Sequence, residues 1–222
     1  VNVPLVPAAG TLVDGLALLL IGTTLWMINV RRLRELILLL ALQALLLAAV
    51  ALTVAVSTGN GQIYVAAGLT LVLKVGVIPA YLFWILRRVR LEQAGPQIRT
   101  RRGWILVGLV LVLGAYWQVG FIHVPVAVHS GDALPAAFSL VLLGMLLMVI
   151  RQKALTQVVA LMTMENGLYL LAMSTTYGMP LVVELGVFFD ILVAALLLGV
   201  FAFRINRTFD TINVSTLRNL RG

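Results

Sequence analysis

The sequence predicts an all-α, polytopic membrane protein with seven transmembrane helices, its N-terminus outside and its C-terminus inside. Three observations carry that prediction. Hydrophobic residues are 62% of the chain and charged residues 11%, with a mean hydropathy of +1.09, far from the roughly 45–50% apolar and about 25% charged residues of soluble domains. Seven stretches come close to the ~20 apolar residues that a membrane span needs. Every Lys and Arg except Lys74 falls in alternate loops, which the positive-inside rule places in the cytoplasm.

The first span covers 11–30. No basic segment and no small-residue cleavage site precede it, so it is expected to be retained and not removed as a signal peptide. It ends at Arg31, Arg32 and Arg34. The second span, 36–56, returns to a loop, 57–62, that has Gly and Ser but no Lys or Arg. The third, 63–86, contains Lys74 and Pro79 and meets the longest connection, 87–103, with six arginines from Arg87 to Arg102. The fourth, 104–124, leads to a second loop free of Lys and Arg, 125–132. The fifth, 133–150, ends at Arg151 and Lys153. The sixth, 155–176, turns through Gly178 and Pro180. The seventh, 181–203, enters a short cytoplasmic tail holding Arg204, Arg207, Arg218 and Arg221. The 87–103 connection divides the chain into an N-terminal three-helix part with its basic cytoplasmic loop, 1–102, and a four-helix part, 103–222. No internal repeat is evident.

The net charge of +8 does not indicate nucleic acid. The cations stand in short runs beside apolar stretches, where they set topology and contact anionic lipid headgroups. Without cysteine the chain has no thiolate for an iron–sulfur cluster. His123 and His129 lie near or in a Pro-containing outer loop and not on facing helices, which argues against haem or metal ligation. No phosphate loop, nucleophile triad or metal-ligand spacing is present.

The ionisable residues inside the spans are the informative ones. A charged side chain at the bilayer centre costs about 2.5–3.5 kcal/mol on insertion scales, and such residues face a bundle interior or a wet cavity. Lys74 lies roughly 16 Å along its predicted span, Glu165 about 15 Å and Asp190 about 13 Å, so all three reach one depth near the midplane. Burial penalises the charged form of a carboxyl and of an amine alike, which lets such groups exchange protons. Glu184, near the outer end of the seventh span, is a further acid; six residues from Asp190, it points about 120° away on an ideal helix. The competing reading is that Lys74 neutralises one carboxylate as a buried ion pair that holds the helices in register. Asp14 and Glu35 read as interfacial charges. Pro79 is expected to free the carbonyl of Val75 and, with Gly76, to kink the helix beside Lys74. Tyr169, one turn after Glu165, is placed to hydrogen bond it. Glycine and methionine in spans five to seven read as packing residues.

The stretch 150–169, IRQKALTQVVALMTMENGLY, with VVELGVFFDILVAALLLGVF and the tail DTINVSTLRNLRG, resembles the three-span K subunit of respiratory complex I and the C subunit of multisubunit cation/proton antiporters. That likeness covers about the last 80 residues and implies a K-subunit-like unit at about 133–222. In that family a basic inner loop precedes a helix with a central glutamate, matched by Glu165, and the next helix carries a second acid, where Asp190 stands in place of the usual glutamate. With the additional N-terminal spans and the MEN and FFD strings, the whole resembles component E of hydrogenase-4 and formate hydrogenlyase type complexes. The resemblance implies a noncatalytic subunit in the cytoplasmic (inner) membrane, beside antiporter-like and quinone-site-type subunits. It also implies a separate peripheral arm with nickel–iron and iron–sulfur centres, this chain having no cofactor or catalytic site of its own. Lys74, Glu165, Asp190 and Glu184 would then contribute to a midplane proton or sodium path. Three other readings compete: a scaffold of the membrane arm that conducts no ion, an independent secondary transporter, and a quinone- or haem-bearing anchor.

Overall fold

A computed structural model describes residues 7–59, 61–89, 101–121, 132–151, 153–176 and 186. The helices are α1 (Pro7–Asn29), α2 (Leu33–Thr58), α3 (Gly61–Thr70), α4 (Ile78–Val89), α5 (Arg101–Phe121), α6 (Ala133–Ile150) and α7 (Ala154–Thr176). α3 and α4 are joined without interruption by a π-helical segment, Leu71–Val77, so α3, that segment and α4 form one span. Six spans among the described residues are long and apolar enough to cross a membrane, each overlying one of the first six predicted. The seventh predicted span, with Glu184 and Asp190, lies outside the described residues apart from Gly186. So do His123 and His129.

Each helix begins and ends where its local chemistry requires. α2 starts after Arg32, whose backbone is extended, and stops at Gly59, whose φ of 65° lets its N–H return to Ala55 O at 2.9 Å. A side chain at Gly59 would be strained in that left-handed conformation. α6 begins after Asp132, whose side chain makes no cap. The Asp14 carboxylate of α1 instead accepts from the Asp132 N–H at 3.1 Å, so one of the residues expected at the interface ties two outer helix ends together. The other, Glu35, is exposed and 3.8 Å from Arg32, a pairing worth little in solvent.

α6 and α7 form the tightest pair in the bundle, α1 and α2 a hairpin beside them, and α2 packs against both α7 and the third span. Two glycines set the α6–α7 approach. A Cβ on Gly144 would stand 2.7 Å from Met164 N, and one on Gly167 would stand 2.8 Å from Val141 N. Small residues allow this close backbone contact where lipid gives apolar side chains no reason to leave it, and both glycines are packing residues as expected. α5 lies against α6 and α1 but keeps Leu106, Val110, Leu113 and Trp117 exposed along one stripe. Apolar exposure on that scale fits a hydrocarbon surrounding.

The turn between α6 and α7 also ties the bundle together. Arg151 donates through Nη2 to Met27 O at 2.8 Å and Val30 O at 2.6 Å, carbonyls in the last turn of α1 and just beyond it, where a cation is favourable.

Candidate functional site

The third span is apolar on every side until Lys74, which the fold buries: its residue is 4% exposed. The local helix is built around it. Pro79 has no N–H and cannot close an α-helical turn onto Val75, and the chain responds by widening. Ile78 N–H bonds Leu73 O, five residues back, instead of Lys74 O. The five-residue partner of Lys74 O would be Pro79, which has no hydrogen to give. Lys74 O is thus left by both of its ladder donors, Ile78 N–H having turned to Leu73 O and Pro79 having none. The expected kink takes the form of a π segment centred on the lysine.

α7 supplies everything described around the ammonium. Lys74 Nζ makes an ion pair and hydrogen bond with Glu165 Oε1, lies 3.4 Å from Asn166 Oδ1, and stands 5.4 Å from the centroid of the Tyr169 ring. The ring's negative face attracts a cation at that distance. Tyr169 and Thr70 hydroxyls are 3.4 Å apart. Thr70 spends its own hydrogen on Ala66 O at 2.9 Å, so the tyrosine is the donor. Tyr169 thus turns its hydroxyl to Thr70, and not to Glu165 as the spacing suggested, and its face to Lys74. Thr70 and Lys74 are one turn apart, as are Tyr169 and Glu165, and they pair in opposite order. The third and sixth spans are therefore antiparallel here, as they must be if the two helices between them each cross the membrane once.

A second polar cluster sits on another face of α7. Gln43 of α2, fully buried, donates through Nε2 to Thr24 Oγ1 of α1 at 2.7 Å, and its Oε1 lies 3.5 Å from Thr163 Oγ1. Thr24 donates to Leu20 O and Thr163 to Val159 O. This arrangement joins three helices without a charge.

Comparison with known proteins was made against this geometry. The chain is 32% identical over 200 residues to the uncharacterized protein Rv0085 of Mycobacterium tuberculosis, covering 86% of this chain and 87% of that one. It is 28% identical over 216 residues to hydrogenase-4 component E of Escherichia coli K12, covering 95% of this chain and 98% of that one. The component E proteins of Escherichia coli O157:H7 and Shigella flexneri match to the same extent. The chain is homologous to hydrogenase-4 component E over nearly its whole length. No family model and no solved structure matches it.

In this component E homologue, the described residues bring together Lys74 and Glu165 of the four predicted relay residues. Gly186, four residues before Asp190 in sequence, stands beside Tyr169: a Cβ there would be 3.9 Å from Tyr169 Cδ2. Gly76 and Pro79 flank the lysine as expected. Sequence reading did not single out Asn166, Thr70, Gln43, Thr24 or Thr163. The signal for Gln43 was available, a lone amide in the run LLLALQALLLAAV. The threonines carry none, since a hydroxyl bonded to its own helix costs little in an apolar run.

Proposed function

We propose that this chain is a noncatalytic membrane subunit of an energy-converting, hydrogenase-like redox complex, and that Lys74 and Glu165 belong to a proton or sodium path at the midplane. Asp190 continues the path in the seventh span and Glu184 leads it outward. The observation that carries the reading is the buried ion pair: a lysine and a glutamate, each 4% exposed, meet between two apolar spans. Such residues in a membrane mark ion pathways more often than they serve packing. A proton arriving at Glu165 cancels the attraction that holds the ammonium, and Lys74 then becomes available to a second carboxylate. Gly186 beside Tyr169 supports a seventh helix reaching the same cluster. The partners that fit are antiporter-like and quinone-site-type membrane subunits in the cytoplasmic membrane, a peripheral arm holding the nickel–iron and iron–sulfur centres, and anionic lipids at the cytoplasmic arginines.

One observation favours a scaffold instead. Lys74 is held by an ion pair, an amide and an aromatic face together, which is what a charge locked for structure requires. Proton and sodium uptake into vesicles containing the whole complex, with redox turnover followed in parallel, separates the two. Loss of uptake in assembled Glu165→Gln and Asp190→Asn complexes is expected. Unchanged uptake and turnover would sink the path and leave the scaffold.

A further inference from the structure

The two polar clusters are each incomplete on the side that faces the other. Asn166 is 1% exposed, its Oδ1 is turned to Lys74 Nζ, and among the described residues its Nδ2 has no acceptor. An amide with two hydrogens and no partner in an apolar interior is costly, and nearly all such groups in folded proteins are satisfied. Gln43 has the opposite deficit. Its Nε2 is fixed toward Thr24, because the Thr24 hydrogen is spent on Leu20 O at 2.8 Å and the Thr24 oxygen therefore needs a donor. That turns Gln43 Oε1 toward Thr163, which also bonds Val159 O at 2.9 Å. Thr163 Oγ1, 3.5 Å from Gln43 Oε1, has a single hydrogen to divide between the two oxygens, so Gln43 Oε1 is left with a long, shared bond and room for a second donor.

The donor without an acceptor and the acceptor with room for a donor share one seam. Thr163 and Asn166 are three residues apart on α7 and so are neighbours on its surface, with Cβ atoms about 5–6 Å apart. Gln43 already reaches the first of them. Gln43 lies roughly 15 Å from the inner end of α2 and Thr163 about 14 Å from that of α7, so the two helices, which run in the same direction, present the three polar groups at one level. All are out of reach of bulk solvent, with Gln43 and Thr163 at 0% exposure.

We infer that a buried water molecule binds between α2 and α7, accepting from Asn166 Nδ2 and donating to Gln43 Oε1 and Thr163 Oγ1. Three polar partners are the usual complement of an internal water. A cation does not fit, because the Asn166 N–H and the Lys74 ammonium both present positive charge to the position. The water joins the clusters into one polar layer across the bundle, from Thr24 of α1 through Gln43 and Asn166 to Lys74. It also makes Gln43 a positioning residue for Lys74: with the water held, Asn166 keeps its oxygen and not its nitrogen toward the ammonium.

The test is an electron cryomicroscopy map of the complex purified from its own membrane, at a resolution that shows ordered water. The expected result is a peak at about 2.7–3.2 Å from both Asn166 Nδ2 and Gln43 Oε1. Direct contact between the two amides, a carbon atom filling the position, or a peak that touches only one amide overturns the inference. In a Gln43→Leu complex the peak is expected to vanish, while Thr24→Val, on the far side of Gln43, keeps it. Persistence of the peak in Gln43→Leu also overturns the proposal. If Gln43→Leu does not assemble, the wild-type and Thr24→Val maps still decide. These maps are read without turnover, so failure here leaves the ion-path reading intact, and failure of that reading leaves this one standing.

Discussion

Lys74 owes its position to residues of a single helix, which makes its removal and its neutralisation different experiments. Lys74→Met strips Glu165 of its ammonium in an apolar interior, and breaking one side of a buried pair costs about 3–5 kcal/mol. A large fall in thermal stability and in the amount of assembled subunit is expected. The double variant Lys74→Met, Glu165→Gln removes both charges, and its stability is expected to recover most of that loss in the same melting experiment. A double variant no better than Lys74→Met would mean that the ion pair is not what holds α7 to the third span. These two residues were legible because an ionisable group in an apolar run is rare and expensive. Their neighbours were not. Gln43, Thr24 and Thr163 are neutral, lie on three helices and meet only after folding. Tyr169 shows the limit of spacing alone: its place one turn from Glu165 was correct, but its hydroxyl found Thr70 on the opposing helix.

Spans were readable as elements because length and hydropathy suffice to define them, whereas the internal geometry of the third span was only half readable. The sequence shows that Pro79 must break the ladder. It does not show that the chain widens ahead of the proline, at the turn that also bears the charge. The α6–α7 crossing makes a sharper prediction. Gly144→Ala places a methyl 2.7 Å from Met164 N, against backbone that cannot swing aside, and overpacking of this kind costs about 1–3 kcal/mol. Gly22→Ala, with nothing within 4 Å of the added carbon, is expected to be neutral or slightly stabilising. Thermal melting of the two variants in detergent checks the pair. Equal midpoints would show that the helices do not approach this closely.

At the scale of the whole molecule, alternation of basic and cation-free loops gave the order and direction of the spans, and antiparallel pairing of 70 and 74 with 169 and 165 agrees with it. The absence of cysteine makes the topology directly measurable. With a membrane-impermeant maleimide, Arg34→Cys is expected to label from the cytoplasmic side and Gly61→Cys from the outer side. Ser215→Cys, in the tail, labels with Arg34→Cys if seven spans are crossed and with Gly61→Cys if only six are. The arrangement of spans around one another was not legible, because alternation fixes direction and says nothing about neighbours. The pairing of Lys74 with Glu165 became evident only in the folded bundle, where α2 packs against both the third and the sixth spans.

The glycine crossing has a mechanical corollary. α7 is pressed backbone to backbone against α6, so the carboxylate of Glu165 rides on a stiff double rod. Its lysine rides on a single span whose rungs are miscounted at the very turn that bears it. When charge is added to or taken from such a pair, the compliant member yields first, and strain is relieved on the lysine side of the contact while the glutamate stays where the glycines hold it.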